Sequence, residues 1–198
     1  MLENMRTGDL VLFSGSCNVG KLIKLVQRNI WSHVGMIVID RNYDFPCLYE
    51  STHSDKIVDL DTKKITQGVQ MVSFEDKVKF YPGSIGYRRL TNIADHELNH
   101  DSFAQLKNSL QGKAFENSIW QIIKSKYDGP LGANREDLTS LFCSELIAAS
   151  YQALGLLPAS EIRTSNEYTP SDFSCQSFTL CKNAQLSEIT IIKDFVKK

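Results

Sequence analysis

Apolar positions along this chain come first as short continuous runs and later at helical spacing. Leu10-Val11-Leu12-Phe13, within Asp9–Ser14, has the length and flanks of a buried strand. His33-Val34-Gly35-Met36-Ile37-Val38-Ile39 predicts a second strand. Cys47–Thr52 predicts a third, after the polar turn Asp40-Arg41-Asn42-Tyr43. Val69–Val72 and Ile85–Leu90 predict two more short strands, with Pro82-Gly83 as punctuation between them. Ahead of the second strand, Asn18 can cap a helix running to about Arg28, apolar at Leu22, Ile23, Leu25 and Val26 and basic at Lys21, Lys24 and Arg28. Beyond Leu90 the period changes. Helices are predicted over Ala94–Leu110, stopped at Gly112, over Ser118–Lys126, and over Thr139–Leu154 with Gly155 just past its end. Asp128-Gly129-Pro130-Leu131-Gly132 reads as a loop, and Ile189–Phe195 as a last edge strand. Strands followed by helices imply an α+β fold, a mostly antiparallel sheet packed against helices.

The chain has 198 residues, 42% of them hydrophobic, which suits a single domain over 1–198 with a real core. The formal net charge is −1, so bulk charge offers no case for a nucleic-acid partner. The five cysteines, at 17, 47, 143, 175 and 181, are odd in number and show no framework spacing. Met1-Leu2-Glu3-Asn4-Met5-Arg6 has no apolar core of the exporting kind, so the expectation is free thiols in a reducing cytoplasm. No apolar run approaches the roughly 20 residues that a membrane span needs. The basic helix at 18–30 directly precedes His33 and could touch anionic lipid as a peripheral contact.

Candidate chemistry concentrates on three residues. Cys143 falls within the first turn of the helix expected from Thr139, where the dipole and free N–H groups favour a thiolate. Cys143, Leu146, Ile147, Ser150 and Leu154 share one face, so the sulfur points into the body of the protein. A lone cysteine there is also what a buried structural thiol looks like. His33 opens the second strand. If Ile39 pairs with Asp44 around the turn, the register sets His33 opposite Glu50, with Cβ atoms about 5 Å apart. A one-residue slip would separate them. Thiol, imidazole and carboxylate would then form a nucleophile, its base and the group that orients the base. The backbone N–H of Cys143, free in a first turn, is the expected oxyanion donor.

Several segments carry a family resemblance. Gly8-Asp9-Leu10-Val11-Leu12-Phe13, Trp31-Ser32-His33-Val34-Gly35, Leu48-Tyr49-Glu50-Ser51, Gly68-Val69 and Arg88 resemble the first half of the permuted papain-like proteins. These are the YiiX/YaeF-like group of the NlpC-type superfamily, related to poxviral and lecithin:retinol acyltransferase-like proteins. Gly112-Lys113-Ala114-Phe115-Glu116 is similar to that family's Gly-Lys-x-Tyr-Glu/Asp segment, with Phe115 lacking the hydroxyl, and Phe142-Cys143-Ser144-Glu145-Leu146 to its nucleophile motif. The resemblance spans roughly residues 8 to 157. It implies a circularly permuted papain-like fold with Cys143 as nucleophile, His33 as base and Glu50 as orienter. The implied activity is a cysteine-dependent hydrolase or acyltransferase acting on an amide or ester of a peptide, an amino acid or a lipid. No metal and no organic cofactor are implied, and the oligomeric state is left open.

Two other motifs compete. Gly15-Ser16-Cys17-Asn18-Val19-Gly20-Lys21-Leu22 nearly spells a phosphate-binding loop, but Leu22 stands where a hydroxyl must ligate magnesium. His96-Glu97-Leu98-Asn99-His100 matches a zinc-protease pattern, and on one helix His96 and His100 could share a metal. Asp95, Asn99 and Asp101 make that segment polar all round, as a solvated helix end would be. A metalloprotease, or a non-catalytic ligand-binding module, is therefore the alternative to thiol chemistry.

Overall fold

A computed structural model describes residues 4–15, 31–52, 56–111, 135–158 and 168–194, with backbone alone over 135–142. The apolar runs become the strands Leu10–Ser14 (β1), His33–Val38 (β2), Cys47–Thr52 (β3), Gly68–Ser73 (β4) and Ser84–Arg88 (β5). With Thr190–Lys193 (β8) they form a six-stranded sheet, ordered β4-β3-β2-β1-β5-β8 and antiparallel throughout. The expected edge strand is thus present at one border. Ile85–Leu90 divides, because Leu90–Thr91 (β6) leaves the main sheet to pair with Gln185–Leu186 (β7). The architecture is α+β, a mostly antiparallel sheet covered by helices.

Both faces of the sheet are apolar, which is why the strands read as runs rather than alternations. Leu10, Leu12, Val34, Met36, Val38, Tyr49 and Met71 point to one side and join the larger core. Val11, Phe13, Ile37, Leu48, Val72 and Ile85 point to the other. The helix Arg135–Ala153 (α3) packs on the first face. Its Cys143, Leu146, Ile147, Ser150 and Tyr151 are buried, and Tyr151 donates its hydroxyl to the Gly8 carbonyl at 2.6 Å. Gly155, at φ 76°, closes α3 as expected. Its N–H reaches the Gln152 carbonyl at 3.0 Å, and that of Leu156 reaches Tyr151 at 2.7 Å.

Three helical expectations need correction. The helix expected from Thr139 begins at Arg135. The single helix expected over Ala94–Leu110 is broken: Asp95–Glu97 forms one 3₁₀ turn, and His100–Leu110 (α2) starts afresh with Asn99 as its cap. The Asn99 side chain accepts from the Ser102 amide at 3.1 Å, and that local bond competes with helix continuation. Phe74–Phe80 (α1) and Pro170–Ser174 (α4) were not anticipated. Ser73 caps α1 by accepting from the Asp76 amide at 3.3 Å, with Glu75 and Asp76 in its first turn and Phe74 and Lys77 turned inward. The basic segment 18–30, the loop-like motif around Lys21, the segment 112–116 and the helix expected over 118–126 lie outside the described residues. No described helix is long and apolar enough to cross a membrane.

Candidate active site

His33 is the first residue of β2, so its ring stands at the end of the sheet, where the two layers meet. Glu50 lies on the same strand face as Leu48, beneath α1. Cys143 belongs to the helix on the opposite face. His33 touches both. Its Nε2 is 2.7 Å from Glu50 Oε2, and its ring also hydrogen-bonds the Cys143 side chain. Glu50 is ionised and can only accept, so Nε2–H is the donor. Nδ1 is then the nitrogen left to serve the sulfur.

The expected partners are together, but by a different register. Met36 pairs with Tyr49, Ile37 with Leu48 and Val38 with Cys47. Continuing that ladder sets Gly35 opposite Glu50, so His33 and Glu50 are diagonal neighbours. The change from the expected pairing is two residues. An even shift keeps both side chains on one face, and both are long enough to close the diagonal.

Two residues that pattern reading overlooked complete the carboxylate's surroundings. Glu50 Oε1 accepts from Lys77 Nζ at 2.6 Å and from Gln70 Nε2 at 3.0 Å. Gln70 sits directly opposite Glu50 on β4, and Lys77 descends from α1 one turn after Phe74. The Lys77 ammonium also lies 5.5 Å from the centre of the Phe13 ring. The available signal was Ser73 followed by acidic and then basic residues, a helix start that would have placed Lys77 on Phe74's face.

The electrostatics follow from these contacts. Burial alone would raise the Glu50 pKa, but the Lys77 charge, then the His33 hydrogen bond and charge, overturn that and hold it below the usual carboxylate range. Burial alone would lower the His33 pKa. The charge and hydrogen bond of the Cys143 sulfur, then those of Glu50, outweigh it and lift it to about 9. The imidazole is therefore protonated at neutral pH. Glu145, two residues after Cys143, is a buried carboxyl that desolvation pushes up to about 7.

Access and oxyanion binding differ from expectation. The Cys143 sulfur is fully buried, as is Glu50, and the His33 side chain keeps 15% exposure. Cys143 lies eight residues inside α3, so helical geometry commits its N–H to the carbonyl four residues back. The first-turn amide expected as oxyanion donor is not there.

The zinc-protease pattern does not assemble. His96 lies in the 3₁₀ turn and His100 opens α2, so the two are not on one helical face. His96, Glu97 and Asp95 are exposed, and His100 Nε2 contacts Asp95 Oδ2 at 3.3 Å. Among the described residues no group of three or more His, Cys, Asp or Glu side chains is placed to hold a metal.

Fold and site thus define an α+β protein in which an antiparallel sheet and the helix packed on it bring an imidazole, a carboxylate and a thiol into one row. Among solved structures, the chain is similar to the crystal structure of the metalloprotein YiiX from Escherichia coli O157:H7 (DUF1105), at 18% identity and a TM-score of 0.49, over 96% of this chain and 97% of that one. No protein-family model and no curated protein matches it by sequence.

Proposed function

We propose that this chain is a cysteine-dependent hydrolase or acyltransferase on a circularly permuted papain-like scaffold, with Cys143 as nucleophile, His33 as acid and base, and Glu50 as the group that orients His33. The observation that carries the reading is one imidazole in contact with both the Cys143 sulfur and the buried Glu50 carboxylate. In this reading the thiolate attacks the carbonyl carbon of an amide or ester. The C–N or C–O bond breaks, and the His33 imidazolium gives its Nδ1 proton to the departing amine or alkoxide. A thioester remains on Cys143. Water or an acceptor amine or alcohol then attacks it, giving its proton to Nδ1, and the sulfur departs as thiolate. Glu50 holds Nε2–H throughout, which fixes the ring and stabilises its cation. None of these steps requires a metal or an organic cofactor. A peptide, an amino-acid amide or a lipid acyl group would each supply a suitable carbonyl.

Intact mass after incubation with a p-nitrophenyl acyl ester tests the proposal. Wild type gains one acyl group, Cys143→Ala gains none, and His33→Ala gains it far more slowly. An adduct that persists in Cys143→Ala, or no adduct on wild type, overturns it. A second reading, a ligand-binding module on an inactive scaffold, draws support from the complete burial of the sulfur. On that reading the Cys143 alkylation profile with pH is the same in wild type and His33→Ala.

A further inference from the structure

We propose that Lys77 is a charge-balancing positioning residue of this site: its buried ammonium, held on Glu50, is what lets Cys143 carry a negative charge beside His33. The inference rests on the reading of Cys143 as a nucleophile served by His33. Lys77 is 4% exposed, and a lysine that deep is costly unless its charge is answered. Here Glu50 answers it at 2.6 Å, and that carboxylate is the one facing the imidazole. Glu50 turns Oε2 to His33 and Oε1 to Lys77 and Gln70, so the donors on Oε1 hold the plane in which Oε2 presents itself to the ring.

The charges decide the rest. With Cys143 as thiolate and His33 as imidazolium, the row reads minus, plus, minus, plus from sulfur to ammonium and sums to zero. Without the ammonium, the same row carries one uncompensated negative charge in a buried place. A proton then returns to the sulfur, which ends its nucleophilicity, or to Glu50, which withdraws the support of the imidazolium. The described titratable groups that face this row are Glu50 from β3, His33 from β2, Cys143 from α3, Lys77 from α1, and the phenol of Tyr81, whose ring packs edge-on against Phe13 at 4.8 Å. Gln70 from β4 is neutral. Lys77 is thus the one fixed positive charge among them.

The test is the pH profile of iodoacetamide alkylation, read at Cys143 by peptide mass, with folding checked by circular dichroism. In Lys77→Met the rate at pH 7 falls about tenfold or more, and the profile moves up by about one pH unit. Lys77→Gln keeps a donor to Glu50 without the charge and falls likewise, which also covers a Met variant that does not fold. Lys77→Arg keeps the charge and recovers most of the rate. Profiles of Lys77→Met and Lys77→Gln that overlay wild type overturn the role of Lys77. His33→Ala separates the two readings: an unchanged profile there defeats the nucleophile reading itself, whereas a depressed one leaves it standing even if Lys77 fails.

Discussion

His33 reaches Glu50 diagonally across β2 and β3, Nε2 to Oε2 at 2.7 Å, past a glycine that occupies the directly opposed position. Gly35 has no side chain to compete for that space, and the backbone around it is tight. A Cβ at Gly35 would stand 2.8 Å from Leu48 Cδ1 and 3.3 Å from the Tyr49 carbonyl oxygen. Leu48 is fully buried and has little room to turn aside. Gly35→Ala is therefore expected to destabilise the fold by about 1–3 kcal/mol through overpacking. Urea unfolding measures this, and a variant as stable as wild type would show that Leu48 moves freely.

The raised pKa of His33 has a consequence for stability with pH. The ordinary value is 6.5 and the folded value about 9, so the folded state holds this proton more tightly. Its contribution is complete below pH 6.5 and is lost as pH rises through about 9. The sulfur is the largest favourable cause, so Cys143→Ala should lower the titration midpoint of the His33 ring. Carbon-bound ring proton shifts, followed by NMR from pH 5 to 10, report both values. A ring that titrates near 6.5 in wild type would contradict the contact with Cys143.

Glu50 gives the opposite sign. Its folded pKa lies below the ordinary 4.5, because Lys77 and His33 overcome the effect of burial. That contribution is present above pH 4.5 and is lost as pH falls into the acid range. Glu50→Gln removes it at every pH and takes from the buried Lys77 ammonium the carboxylate that it contacts at 2.6 Å. The expected cost is about 3–5 kcal/mol. Adding Lys77→Met to that variant removes the buried ammonium that Glu50 answered and should restore much of the loss. If urea midpoints show the double variant no more stable than Glu50→Gln, the pair is not what holds this part of the core.

The sheet and the three proposed catalytic residues were legible because their signals are local. Continuous apolar runs marked β1 to β4 as buried on both faces, and the order of motifs put His33 and Glu50 on adjacent strands. The register was not legible to the residue, since Leu48 and Glu50 suit the same face under either of two even pairings. Lys77 escaped because a lysine in a seven-residue amphipathic stretch reads as solvated, and its burial depends on a carboxylate 27 positions away. The start of α3 was misplaced by four residues because Thr139 and Ser140 offered caps that the helix passes through. That error carried the expected oxyanion amide with it.

Arg88 supplies the last prediction. It is buried at the end of β5 and answers its charge with carbonyls alone. Nε donates to the Ser187 oxygen at 2.7 Å, one terminal nitrogen to Phe173 at 2.7 Å and Cys175 at 2.9 Å, and the other to Leu186 at 3.2 Å. Those carbonyls belong to α4, its C-cap and the β7 region, so one guanidinium ties the C-terminal segment to the sheet. Lysine can place one charge there but cannot span four acceptors in a fixed fork. Arg88→Lys is therefore expected to loosen residues 173–187, and Arg88→Met to cost about 3–5 kcal/mol because four carbonyls lose their donor in a buried place. Hydrogen exchange should show faster exchange confined to that segment and to β6 in Arg88→Lys, with α1 and the His33–Glu50 row still protected. Uniform loss of protection would mean that the C-terminal segment does not open apart from the sheet.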